Sequence, residues 1–115
     1  AKKFSIDAKG ALGNVVNNIL IENGTEIDFD FIADRYNMAP ISQEKIEMTG
    51  GFIEYLAKLN DVDKIKKGID YVMQTRILVP EQYRGFIDGS LKNSFNKLSK
   101  VRGKEIENYI KDSFK

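Results

Sequence analysis

The chain contains neither cysteine nor histidine. Without Cys it has no disulfide and no thiolate metal ligand, so a reducing and an oxidising compartment would leave it equally unaffected. Without His it lacks the commonest general base, the usual imidazole ligand of zinc and every Ser–His or Cys–His nucleophile pair, which excludes most hydrolase mechanisms. Long apolar runs are also missing: nothing approaches the roughly 20 residues that span a bilayer. The start, AKKFSIDAKG, carries basic residues with no apolar signal core behind them. A soluble protein without a membrane partner is expected. Because the chain opens on Ala1 rather than Met, residues 1–115 are expected to form a single helical domain cut from a longer chain.

Nucleotide and metal signatures are absent as well. There is no G-x-x-x-x-G-K-[ST], no G-x-G-x-x-G, no H-E-x-x-H and no Asp-rich calcium loop. A phosphate cradle needs glycines gathered where backbone N–H groups approach the anion, and here they are dispersed.

What is present is ordinary for a globular domain. Hydrophobic residues make up 42% and charged residues 30% of 115 positions, enough to build one core. Residues 1–60 carry 6 basic and 9 acidic side chains and residues 61–115 carry 12 and 8, so halves of −3 and +4 give the net +1. The lysines of the basic half are scattered among Asp and Glu, which argues for a solvated helical surface and against a nucleic-acid partner.

Apolar spacing predicts helices almost throughout. In ALGNVVNNILIEN the stripe is Leu12, Val15, Val16, Ile19 and Leu20, with Asn23-Gly24 as a left-handed cap and Thr25 with Asp28 in a box-like position for the next helix. Residues 26–37 alternate like a strand at Ile27, Phe29 and Phe31 but fit a helix at Phe29, Ile32, Ala33 and Tyr36; the helix is preferred, since no strand partner exists elsewhere. Met38-Ala39-Pro40 breaks the chain, and Ser42 caps a stripe of Ile46, Thr49, Phe52, Ile53, Leu56 and Leu59. Gly50-Gly51 inside it predicts a close crossing or a slight kink.

A short turn at Asn60-Asp61 forces an antiparallel hairpin with the next helix, whose inward positions are Val62, Ile65, Ile69, Val72, Met73 and Ile77. Two further helices carry Leu91, Phe95 and Leu98, then Ile106, Tyr109, Ile110 and Phe114. The expectation is an all-α fold of about six helices in antiparallel hairpins, either an irregular bundle or a short helical-repeat-like stack.

Carboxylate pairs that could do acid–base work are Asp28 with Asp30, Glu44 with Glu47, and Asp61 with Asp63. Each sits near a helix start, where capping and dipole compensation account for it. The aromatics Phe29, Phe31, Tyr36, Phe52, Tyr55 and Tyr71 fall on or beside the apolar stripes and read as core.

The least helix-like stretch is VPEQYRGFIDGSLK, Val79 to Lys92. Tyr83, Arg84 and Asp88 are its candidate binding residues: Arg offers a rigid fork for a carboxylate or phosphate and Tyr a phenolic hydrogen bond. The structural alternative is a corner in which Pro80 starts a turn, Gly85 and Gly89 redirect the chain, and Arg84 ties the turn to Asp88 or to a helix end.

The run FIEYLAKLNDVDKIKKGIDYVMQTRILVPEQYRGFIDGSLKNSFNKLSK, with Gln82-Tyr83-Arg84-Gly85 inside it, resembles the helical C-terminal region of some bacterial zinc aminopeptidases of the aminopeptidase N family. The resemblance spans residues 42 to 115. It implies a non-catalytic C-terminal domain that shapes access to a zinc site held elsewhere in the parent chain. Its partners would be the remaining domains of that chain, zinc would belong to the parent, and peptide substrate would be reached only through it. With no H-E-x-x-H here, no catalytic or metal residue and no cofactor is assigned to this chain itself. The alternative is an independent helical protein–protein interaction module with an exposed apolar groove; a small ligand carrier using Arg84 is a third reading.

Overall fold

The computed structural model describes Ile19 and residues 21–114. The predicted stripe over residues 11–20 lies, apart from Ile19, outside the described residues. Residues 21 to 23 are helical, and Asn23 closes that helix by donating its side-chain amide to the Ile19 carbonyl at 3.0 Å. Gly24 is not left-handed, because among the described residues only Gly103 has positive φ. With Asn23 already serving the free carbonyl, the expected αL cap is not needed.

Thr25 and Asp28 form the capping box, with the Asp28 carboxylate accepting the Thr25 N–H at 2.9 Å. A 3-10 turn, Glu26–Asp28, leads into α1, Phe29–Met38. Residues 26–37 are thus helical and not a strand. Four more helices follow: α2, Gln43–Leu56; α3, Val62–Leu78; α4, Glu81–Arg102; and α5, Lys104–Ser113. The fold is all-α.

Two of the helices, α2 and α3, start where a side chain supplies an acceptor for their free N–H groups. The Ser42 hydroxyl takes the Lys45 N–H at 3.2 Å, and the Asp61 carboxylate takes those of Asp63 and Lys64 at 2.9 and 3.4 Å. Asp61 of the Asp61–Asp63 pair is therefore a cap residue.

The helices stack in two rows. In one row lie α1, α3 and α5, joined by Tyr36–Thr75, Lys66–Glu105 and Asp70–Tyr109, three side-chain hydrogen bonds that each span 39 residues. In the other lie α2 and α4, where Gly50 faces the Ser90 and Ser94 hydroxyls and Glu54 meets Lys97 at 3.4 Å. Partners advance together along both helices, so neighbours within a row run parallel and hairpin mates run antiparallel. Residues 21–23 extend the second row through Ile21 against Gly51 and Lys58 Nζ to the Glu22 carbonyl at 2.8 Å.

The α1–α2 and α3–α4 corners repeat one design with different residues. Ala39 and Val79 end their helices in extended backbone (φ −62, ψ 136 and φ −66, ψ 133), as a residue before proline must. At the first corner Lys45 reaches back to the Asn37 and Ala39 carbonyls at 3.2 and 3.0 Å; at the second Arg84 reaches the Ile77 and Val79 carbonyls at 3.1 and 3.3 Å. One turn before each end a side chain crosses the hairpin, Tyr36 to Thr49 at 2.8 Å and Arg76 to Asp88 at 2.6 Å. The two corners therefore recur at a spacing of about 40 residues within an all-α bundle of antiparallel hairpins.

The core fills the space between the rows. Phe29, Ile32 and Tyr36 of α1 meet Phe52, Ile53 and Leu56 of α2, Ile65, Ile69 and Val72 of α3, Ile87, Leu91 and Leu98 of α4 and Ile106 of α5, all buried. The Tyr36 and Phe52 rings stack at 4.3 Å. Each such side chain contributes about 1.5–3 kcal/mol on burial. Of the aromatics read as core, Phe29, Tyr36, Phe52 and Tyr55 are buried and Tyr71 is half-buried, whereas Phe31 is exposed and lies under the Arg35 guanidinium.

Other expectations are corrected. Residues Glu81–Arg102 form one uninterrupted helix, so the chain turns at Val79-Pro80, and Gly85 and Gly89 sit mid-helix without redirecting anything. The packing of Ile87, Leu91 and Leu98 outweighs the helix cost of two glycines, about 1 kcal/mol each. Gly50 does lie at a helix contact, facing the Ser90 and Ser94 hydroxyls of α4, but α2 runs through Gly50-Gly51 unbroken. A second close approach is at Gly68, where the Leu56 side chain of α2 lies against bare α3 backbone. Ile77, expected inward, is 66% exposed at the end of α3.

Candidate functional site

The two corners put the starts of the parallel helices α2 and α4 side by side, and a cavity of ≈ 410 Å³ opens between them. Ile41, Ser42, Gln43 and Ile46 form one wall, and Pro80, Tyr83 and Phe86 the other. Ile46 is buried as floor, while Phe86 is 70% and Tyr83 51% exposed. The same edge of the stack carries exposed Met38 after Tyr36 on α1, and Ile77 and Leu78 at the end of α3. Such large apolar side chains gathered at one edge leave water in contact with a surface that a partner could cover.

Helix geometry explains why these residues face outward. On α4 the core stripe is Ile87, Leu91 and Leu98; Tyr83, one turn before Ile87, lies over the seam with α2, and Phe86 is rotated one position off the stripe. Pro40 and Pro80 cannot continue the preceding helices, which fixes the corners and holds Ile41 and Tyr83 across from one another.

The three sequence-derived candidates go to separate places. Tyr83 lines the groove. Arg84 turns away from it to the carbonyls that end α3, with its Nε buried and without a hydrogen-bond partner. Asp88 is held by Arg76 through two hydrogen bonds, Nε to Oδ1 at 2.6 Å and Nη2 to Oδ2 at 3.1 Å. The structure therefore does not gather Tyr83, Arg84 and Asp88 into one polar cluster, and Arg84 adopts the helix-end role.

Two further polar groups lie behind the groove. Lys45, only 4% exposed, places its ammonium at the end of α1 and 5.0 Å from the centre of the Tyr36 ring; burial lowers its pKa. The Tyr36 hydroxyl sits between Thr49 and Thr75, whose own hydroxyls reach the Lys45 and Tyr71 carbonyls at 2.8 and 3.1 Å, and burial raises its pKa. These are saturated, inward-facing contacts. Among the described residues no group of three acidic side chains is placed to hold a metal ion, and no helix is long and apolar enough to cross a membrane.

Ile41, Ile46 and Phe86 were not singled out as site residues from sequence. The available signal was Phe86 beside Tyr83, off the Ile87–Leu91–Leu98 stripe, and it required reading residues 81–102 as one helix.

Fold and site together define the class as an all-α bundle of helical hairpins with an apolar groove at its corner edge. No family model, no curated protein and no solved structure matches the chain.

Proposed function

We propose that this chain is a protein-interaction module that docks a segment of another protein in the groove between the α2 and α4 starts. The observation that carries the reading is the placement of Phe86, Tyr83 and Ile41 around one cavity on an edge built by two rigid, proline-fixed corners. Aromatic side chains set around a preformed concavity are the usual anchors of helical docking modules. In an amide NMR titration of the whole chain with short peptides bearing Phe or Leu anchors, shifts should concentrate at residues 41–46 and 80–87 and vanish in Phe86→Asp. Shifts spread over the whole surface, or unchanged in that variant, would overturn the reading.

A second reading follows from the resemblance of residues 42–115 to the helical C-terminal region of the aminopeptidase N family. On it, the groove edge faces the remaining domains of a zinc-dependent parent chain, and this part contributes shape rather than catalysis. The encoding reading frame tests it: an upstream H-E-x-x-H with a later Glu is expected, and a frame without them removes the reading.

A further inference from the structure

Resting on the docking reading above, we infer that the groove takes a protein segment that presents bulky apolar side chains next to Lys or Arg. The argument is the charge left in water on the first two turns of the two helices that form the groove. The first two turns of α2 and α4 hold three carboxylates at the surface, Glu44, Glu47 and Glu81, all exposed. They also hold two cations, Lys45 and Arg84. Both cations point inward: Lys45 is buried against the carbonyls of Asn37 and Ala39, and Arg84 donates to those of Ile77 and Val79. The next acidic residue on α4, Asp88, is neutralised by Arg76.

These helix starts thus keep their anions in water while their cations are engaged at the helix ends. The free N–H groups of two helix starts offset roughly half a charge each, which leaves the carboxylates in excess. Glu47 is the best placed of them, since its carboxylate accepts a hydrogen bond from the groove-lining Gln43 at 3.3 Å. Complementary charge at a rim selects partners and steers their approach more than it adds affinity, so the groove supplies the hold and the rim the choice.

The test is selection of binders from a random-peptide display library on the full chain, with Phe86→Asp as counter-selection. Because Phe86 is largely exposed, that variant should keep the fold. Enriched peptides should pair an apolar anchor with Lys or Arg. Each of Glu44→Gln, Glu47→Gln and Glu81→Gln should weaken a selected peptide by up to about fivefold, less at high salt. Peptides that need Phe86 but carry neutral or acidic flanks would overturn this inference and leave the docking reading standing. Absence of any Phe86-dependent peptide would overturn both.

Discussion

Arg76 holds Asp88 in a two-point clamp across the α3–α4 corner, and it stands where Tyr36 holds Thr49 across the α1–α2 corner. One hairpin is pinned by a charged fork and the other by two hydroxyls, at the same distance from the helix end. The clamp is half-buried, and the Arg76 guanidinium also lies 5.1 Å from the centre of the Phe114 ring, so it ties α5 to the same corner. Hydrogen bonding to the Asp88 carboxylate raises the already high pKa of Arg76.

Replacing either partner should therefore cost more than an exposed ion pair does. Arg76→Met and Asp88→Asn are each expected to lower stability by about 1–2 kcal/mol, with a coupling of about 1 kcal/mol between them. A double-mutant cycle in urea measures this. Additive losses would mean that the two side chains do not act as a unit.

The glycines of α3 and α4 should answer the same substitution with opposite signs. A Cβ at Gly85 or Gly89 meets nothing within 4 Å, so Gly85→Ala and Gly89→Ala should each stabilise the chain by about 0.5–1 kcal/mol through helix propensity. A Cβ at Gly68 would fall 2.8 Å from Leu56 Cδ1 and closer still to Cδ2, and Leu56 is fully buried. Overpacking costs about 1–3 kcal/mol, so Gly68→Ala should be destabilising despite the same propensity gain. Thermal unfolding of the three variants decides it.

The helix stripes, the caps at Thr25, Ser42 and Asp61 and the breaks at the two prolines were legible because each rests on local spacing. Alternation at Ile27, Phe29 and Phe31 competed with the helix over 26–37, and burial of Phe29, Ile32, Ala33 and Tyr36 on one face resolves it. The likeness of the two corners was illegible because they keep geometry, not residue identity: Lys45 matches Arg84, and Tyr36–Thr49 matches Arg76–Asp88. The length of α4 was hidden by Gly85 and Gly89, whose local cost is overridden by packing on α2 that no short window contains. Misreading that helix as a corner also hid Phe86, and with it the groove.

Glu26 provides an acid-sensitive tether. Its carboxylate accepts the N–H groups of both Asn60 and Asp61 at 2.7 Å, joining the turn before α1 to the start of α3. The Asp61 and Asn60 backbone bonds hold its pKa below the ordinary 4.5. A depressed folded-state pKa stabilises above the unfolded value and is lost as pH falls through the folded one. Glu26→Gln should thus lower the melting temperature at neutral pH, and the gap to the native chain should close on acidification below 4.5. A gap that is constant with pH would show that the charge is not what the tether uses.

Tyr109 should give the alkaline counterpart. Its hydroxyl donates to the Asp70 carboxylate at 2.6 Å, and that bond, followed by burial, pushes its pKa up to about 12. Here the folded-state pKa is raised, so the contribution is complete below the ordinary 10 and disappears as pH climbs through about 12. Tyr55, which donates to the Thr25 carbonyl, is also pushed up to about 12, chiefly by burial, and serves as an internal reference. In an ultraviolet titration of the phenols, Asp70→Asn should move one Tyr ionisation toward 10 and leave the Tyr55 transition in place. Because α3 and α5 are also joined by Lys66 and Glu105 at 3.3 Å, the variant should stay folded while α5 loses protection from amide exchange. An unchanged titration would mean that Tyr109 and Asp70 are not hydrogen-bonded in solution, and would remove one of the three side-chain links that join α1, α3 and α5.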